Sequence, residues 1–313
     1  MKVRTAVAAA LVAALIVVVA LVSGAAGAPR DDALVDAIEH VSRSTPWEIV
    51  RRVPLDFQTY HPQGFARVAD RLYMSSVEII EAPQKYPQPI GGYDRTPGKG
   101  IAHLFELSLD GRLLAQTTLG EGIIYHPGGI DYDGQSLWVP VAEYRPDSRS
   151  IIYRVDPDTL RAEEVFRVDD HVGGIVRDEV NGELHGVSWG SRTFYDWTSR
   201  GKELARTPNP EQYVDFQDCQ YVRFRKAVCT GITEYTGPTG ATFELGGVDV
   251  VNLERGTIGS EVPVQRYSAA GHVVTRNPVD LEVAGQTLRM YAAPDDYGEP
   301  ANTELLTLEA PLA

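Results

Sequence analysis

The stretch "HPGGIDYDGQSLWVPV", His126 to Val141, joins a glycine turn, a short apolar run, a polar Asp-Gly turn and a second apolar run. The chain writes close variants of it four more times, as "HPQGFARVADRLYMSS" from His61, "HVGGIVRDEVNGELHGVSW" from His171, "DFQDCQYVRFRKAVCTG" from Asp215 and "NPVDLEVAGQTLRMYAA" from Asn277. The fifth position of every copy is apolar (Phe65, Ile130, Ile175, Cys219, Leu281). A unit of this kind cannot bury its apolar face alone, so the copies must stack on one another.

The copies start about 45 to 65 residues apart, the size of one four-stranded propeller blade with insertions in two of them. Strand signals dominate from Trp47 onward: β-branched and aromatic runs separated by Gly, Pro, Asp and Asn. The expected fold is all-β, a five-bladed β-propeller in one domain over 47–313. A six-bladed ring with one blade hidden in an insertion is the alternative. The last copy ends one strand short, and "WEIVRRVPL", Trp47 to Leu55, can supply that strand from the other end of the domain, removing exposed sheet edges.

Residues 1–28 read as a signal peptide or an uncleaved N-terminal anchor, with Lys2 and Arg4 ahead of an apolar stretch and small residues after it. Residues 29–46 form a helical lead-in, because Leu34, Val35, Ile38 and Val41 fall at helical spacing. The protein is therefore expected to be secreted or extracytoplasmic, touching a membrane only through an uncleaved N-terminus. Cys219 and Cys229 flank one polar turn, and an exported hairpin would set them opposite each other as a disulfide. Two buried thiols are the alternative.

A net charge of −14 removes the basic surface that a phosphate backbone needs, which excludes nucleic acid as a partner. Small molecules or cell-envelope material remain. Function is expected on the propeller face that carries the long loops. The longest, Glu78 to Gly100, is rich in Pro, Gly and Tyr and is either a lid or a passive insertion.

The first repeat position holds His61, His126, His171, Asp215 and Asn277, and a ring would point all five toward one axis. The fourth holds Gly64, Gly129 and Gly174 but Asp218 and Asp280 in the last two copies. Buried acids need compensation. One reading supplies it with a divalent cation, zinc or calcium, held by His61, His126, His171, Asp218 and Asp280. The other leaves each imidazole hydrogen-bonded to a neighbouring blade. Gln63 and Trp189 are added as ligand-contacting residues of the channel. "GVSWG", Gly186 to Gly190, matches a nucleophile elbow, but "SRTFYDW" continues as a strand where that motif needs a helix.

The "HPxG(I/F)…DG…LWV" pattern resembles that of NHL, gluconolactonase and strictosidine-synthase-like propellers, and the whole chain resembles an uncharacterised family of secreted bacterial propeller proteins. Gluconolactonase-like enzymes imply a divalent cation at the channel, beginning with a first-blade Glu. Gln63 and Gly64 stand there instead, leaving Asp218, Asp280 and Asn277 as matches in kind. "QGFARVADRLYMSS", Gln63 to Ser76, is also similar to the opening of plant-type glutaminyl cyclases, with Met74 in place of their acid.

Two functions fit. One is an exported propeller that binds a small ligand in a central polar funnel, with or without a divalent cation. The other is a metal-dependent hydrolase of lactone or ester type. Whether the protein is an enzyme is not legible in these residues.

Overall fold

The computed structural model describes residues 32–299 and 302–312; the expected signal or anchor segment lies outside them. Helix α1 (Asp32–His40) comes first, followed by strand β1 (Glu48–Pro54). Blade one contains β2 (His61–Val68), β3 (Arg71–Glu81), the small hairpin β4 (Lys85–Ile90) and β5 (Tyr93–Arg95), β6 (Lys99–Ser108) and β7 (Leu113–Leu119). Blade two has an inner strand split into β8 (Ile124–Pro127) and β9 (Asp131–Tyr132), then β10 (Leu137–Glu143), β11 (Ser150–Val155) and β12 (Ala162–Val168). Blade three is β13 (Val172–Arg177), β14 (Leu184–Ser188), β15 (Thr193–Trp197) and β16 (Glu203–Pro208). Blade four is β17 (Asp215–Val222), β18 (Lys226–Thr236), β19 (Thr242–Asn252) and β20 (Thr257–Val264). Blade five is β21 (Val279–Ala284), β22 (Thr287–Ala292) and β23 (Glu304–Pro311).

The fourth strand of blade five is β1, which pairs antiparallel with β23 from Glu48 opposite Glu309 to Pro54 opposite Glu304. The ring thus closes with five blades, not six, and the N-terminal strand fills the place left by the short last repeat.

Alternating side chains give each blade two apolar faces, and five apolar clusters fill the five blade interfaces. Tyr73 and Leu104 meet Ile130 and Val139 between blades one and two. Trp138 and Ile152 meet Ile175 and Trp197 in the next interface. Met74 is fully buried with Phe65, Phe105 and Leu305 where blades five and one close, so in this chain the position is core. Leu34, Val35 and Ile38 of α1 join Val222, Val248 and Leu281, which places the helix across blades four and five, with Lys226 and Glu39 paired at 3.3 Å.

The glycines at repeat position four let the inner strands approach at the axis. A Cβ at Gly64 would lie 2.6 Å from the backbone nitrogen of Ile130, and one at Gly129 would lie 2.8 Å from Asp218 Oδ1. Freed of side chains, Gly129 donates its N–H to the Gly173 carbonyl at 2.9 Å and accepts from the Ile175 N–H at 3.3 Å. Cys219 and Cys229 face each other across β17 and β18 and form the expected disulfide.

Candidate functional site: a histidine and aromatic funnel above an acid-tied neck

The funnel opens on the face where the inner strands begin and the second strands end. Its wall combines His61, Gln63, His126, His171, Gly173, Asp215, Phe216 and Gln217 from the starts of inner strands with Tyr144, Ser188, Trp189 and Gly190 from the ends of second strands. The funnel volume is about 190 Å³.

The first-position residues divide by role. His61, His126, His171 and Asp215 reach the funnel, whereas Asn277 is buried behind it and donates to the Pro294 carbonyl at 3.0 Å and to Asp296 Oδ1 at 3.1 Å. Asp215 pairs with Arg192 at 2.8 Å. Trp189 and Gln63 also line the wall.

Rings pack continuously along one side. His126 stacks on Tyr144 with centroids 4.0 Å apart, His126 and His171 lie 5.5 Å apart, and Trp189 stands edge-on to His171 at 4.7 Å. Burial drives both inner imidazoles toward the neutral form: His171 falls to about 4, and His126 falls well below the usual histidine range, helped by His171 beside it. His171 Nδ1 donates to the Glu143 carbonyl at 2.8 Å, which leaves Nε2 as an acceptor in the neutral ring.

Glu143 itself is fully buried at the end of β10 and is held by Arg145, at 2.7 Å from Nε, and by Arg149 at 2.8 Å. A buried carboxylate with two guanidinium partners stiffens the turn that carries Tyr144. Arg145 also lies 3.4 Å from the Tyr93 ring centroid, and Arg95 lies 5.0 Å over Trp189. Both aromatic contacts involve the β4–β5 hairpin, so the long insertion of blade one leans over the Tyr144 and Trp189 wall.

His61 has a partner that the repeat does not reveal. Its Nδ1 hydrogen-bonds Asp296 Oδ1 at 2.7 Å. Asp296 also meets Arg276 at 3.3 Å, and its backbone N–H donates to Glu299 Oε2 at 2.9 Å. Burial would raise the Asp296 carboxyl, but the contacts with His61, Arg276 and Asn277 outweigh it and hold the group below the usual carboxylate range.

The two acids at repeat position four are both met by protein groups, although burial outweighs the backbone bonds to Asp218 and raises its carboxyl well above the usual carboxylate range. Asp218 Oδ2 accepts the N–H of Phe65 at 2.6 Å and of Val279 at 3.3 Å, while Oδ1 accepts those of Ile130 and Cys219, each at 3.1 Å. Asp280 pairs with Arg67 at 3.4 Å. The five residues expected to share a cation are thus separated: three imidazoles face the funnel, Asp218 ties the neck, and Asp280 serves an interblade ion pair. Among the described residues no group of three or more His, Cys, Asp or Glu side chains is placed to hold a metal ion.

Ser188 ends β14, and a single turn of 3-10 helix (Trp189–Ser191) leads straight into β15. Its Oγ accepts the Thr193 N–H at 2.9 Å and donates to the Trp189 carbonyl at 3.4 Å, as befits a turn-forming serine, and among the described residues no imidazole bonds to it.

A closed five-bladed propeller with a ring-lined funnel on one face defines the class. The chain belongs to the family of unknown function DUF6454, whose model matches residues 18–307. No curated protein sequence matches it. Some solved structures are similar to the chain at low identity. A mannose phosphorylase from Leishmania mexicana is 11% identical with a TM-score of 0.50, covering 83% of this chain and 88% of its own. A luciferin-regenerating enzyme is 8% identical with a TM-score of 0.47, covering 86% and 95%. A gluconolactonase from Xanthomonas campestris is 13% identical with a TM-score of 0.45, covering 84% and 89%. The likeness to the mannose phosphorylase speaks to architecture alone.

Proposed function

We propose that the protein is an extracytoplasmic propeller that binds a small, uncharged, ring-sized molecule in its funnel. The observation that carries this reading is the continuous wall of His126, Tyr144, His171 and Trp189 along one side of a single funnel. Its volume of about 190 Å³ lies below the ~300–1,000 Å³ of drug-sized sites, so a single ring suits it. Neutral imidazoles offer acceptor nitrogens, the phenol of Tyr144 offers a donor, and the nearby guanidinium of Arg95 already carries Asp94 at 2.7 Å. That balance favours a polar neutral ligand over an ion. Export is supported by the apolar N-terminal segment and by the Cys219–Cys229 disulfide, a bond of oxidising compartments.

Ligand-observed NMR with δ-valerolactone, phenol and pyrazole tests the binding reading. At least one probe should bind the parent and lose at least about tenfold in affinity in Trp189→Ala and His126→Ala, as removal of a stacked ring predicts. Binding unchanged in both variants, or no probe bound by the parent, overturns it.

A further inference from the structure

The funnel holds two groups whose reactive atoms lack a protein partner among the described residues. His61 has Nδ1 committed to Asp296, and Nε2 is left for the cavity that His61 lines. Tyr144 lines the same cavity, packs its ring on His126, and hydrogen-bonds no protein group through its hydroxyl. An imidazole oriented by a carboxylate, in the same cavity as a phenol donor, supplies the groups that general acid–base chemistry at a carbonyl requires.

We propose that the funnel hydrolyses small uncharged esters or lactones, with His61 Nε2 as general base, Asp296 as its positioning residue and Tyr144 Oη as hydrogen-bond donor to the carbonyl oxygen. This deepens the ligand-binding reading and rests on it. Water, not a side chain, is the nucleophile, because Ser188 Oγ is spent on Thr193 and Trp189.

In the first step a water O–H proton moves to His61 Nε2 as the water oxygen bonds to the carbonyl carbon. The carbonyl π pair shifts to oxygen, where the Tyr144 hydroxyl stabilises the negative charge. That oxyanion then collapses, the C–O bond to the alcohol portion breaks, and the proton on His61 passes to the departing alkoxide. An ester gives an acid and an alcohol; a lactone gives one hydroxy acid. Asp296 supplies the negative charge that steadies the transient imidazolium. Its own position is over-determined by Arg276, Asn277 and its N–H bond to Glu299, so it cannot swing away. Burial, and after it the Asp296 charge, raises the Tyr144 phenol, so it remains a donor through neutral pH.

The other charged groups around His61 are accounted for. Arg276 faces Asp296 and Glu299, His272 bridges Glu244 and Glu299, and His126 stays neutral beside it.

Hydrolysis of 4-nitrophenyl acetate and δ-valerolactone, followed by absorbance and by pH-stat, tests the proposal on the mature protein. His61→Gln should lower kcat by at least about 100-fold with little change in KM, as loss of a general base does. Asp296→Asn should lower kcat by at least about tenfold with little change in KM, because the imidazole loses the carboxylate that orients it, and Asp296→Glu should restore part of the loss. Tyr144→Phe should lower kcat by about tenfold or more while keeping the fold. His103→Gln, which alters a pair with Glu78 away from the funnel wall, should behave as the parent. A parent that hydrolyses neither probe above the buffer rate, or Tyr144→Phe and His61→Gln variants as fast as the parent, overturns the proposal. If lactone binds in the NMR assay but is not cleaved, the binding reading stands and hydrolysis falls.

Discussion

Asp218 of blade four reaches across the axis and accepts the backbone N–H of Phe65, in blade one, at 2.6 Å. The two blades are not neighbours in the ring. The same carboxylate accepts from Ile130 in blade two and Val279 in blade five, so one side chain ties four of the five blades, and Gly129 joins blade three through its bonds to Gly173 and Ile175. Asp131 repeats the device on a smaller scale, accepting the N–H of Arg177 at 3.2 Å and of Tyr221 at 3.4 Å.

Replacing Asp218 with Asn leaves one acceptor oxygen where two now serve four N–H groups. Buried donors left unpaired cost about 1–3 kcal/mol each, so Asp218→Asn should lose about 2–4 kcal/mol and Asp218→Ala more. Because the acid is satisfied by backbone, chelator should leave the parent's melting temperature unchanged. Urea melts of the three proteins, with and without EDTA, measure both; an Asn variant as stable as the parent would show the tie to be idle.

The two neutral funnel imidazoles give stability a definite pH dependence. Their folded values lie below the ordinary histidine value of 6.5, so between that value and the folded one the unfolded chain binds more protons and stability falls as pH falls. For His171 the window runs from 6.5 down to about 4, and the full loss is of order 3 kcal/mol. Denaturation at pH 7 and pH 5 should show the decline, and His171→Gln should shrink it. Equal slopes in parent and variant would contradict the assignment.

Asp249 has the opposite sign. Burial, reinforced by Glu261 and Glu211, raises its carboxyl to about 8, and Oδ1 has no hydrogen-bond partner. The folded value lies above the unfolded one, so its contribution is full below the ordinary carboxylate value of 3.8 and is lost as pH rises toward 8. Asp249→Asn should therefore stabilise the protein at pH 8 by about 1 kcal/mol or more and do less at pH 5. A thermal melt at each pH decides; destabilisation at pH 8 would count against it.

The blade count was legible because position five and the paired apolar runs report inner-strand burial directly, and the closing strand because the last copy ends early. Roles at the axis were not. The interblade partners of Asp218 are backbone N–H groups 61 to 153 residues away, which carry no side-chain signal. Asp296 sits in "AAPDDYGEP", past the second strand of blade five and outside the repeat register. Tyr144 was within reach of the pattern: it follows β10 as Trp189 follows β14, and equivalent loops open on one face.

The β1–β23 pairing should be indispensable. Removing Trp47 to Leu55 takes away Trp47 and Leu55, both buried, and bares the edge of β23. The truncated chain should aggregate or unfold, which size-exclusion chromatography and a melt would record. A monodisperse truncation with the parent's melting temperature would contradict the closure.

The insertion hairpin should act as a separable cover. Its base is clipped by Gln84 and Thr96, whose backbone and side-chain bonds are each 2.9 Å, while Arg95 and Tyr93 reach the Trp189 and Arg145 side of the funnel. Replacing residues 85–95 with a short Gly-Ser turn should therefore spare the blades and uncover Trp189. Trp47, Trp138 and Trp197 are buried elsewhere, so any rise in acrylamide quenching of tryptophan emission reports Trp189. Quenching should increase with only a modest fall in melting temperature, since partly buried contacts of this kind are worth about 0.5–2 kcal/mol each. Arg95→Ala should give part of the same increase. If quenching in the shortened protein equals that of the parent, the hairpin is a passive insertion and the funnel is open without it.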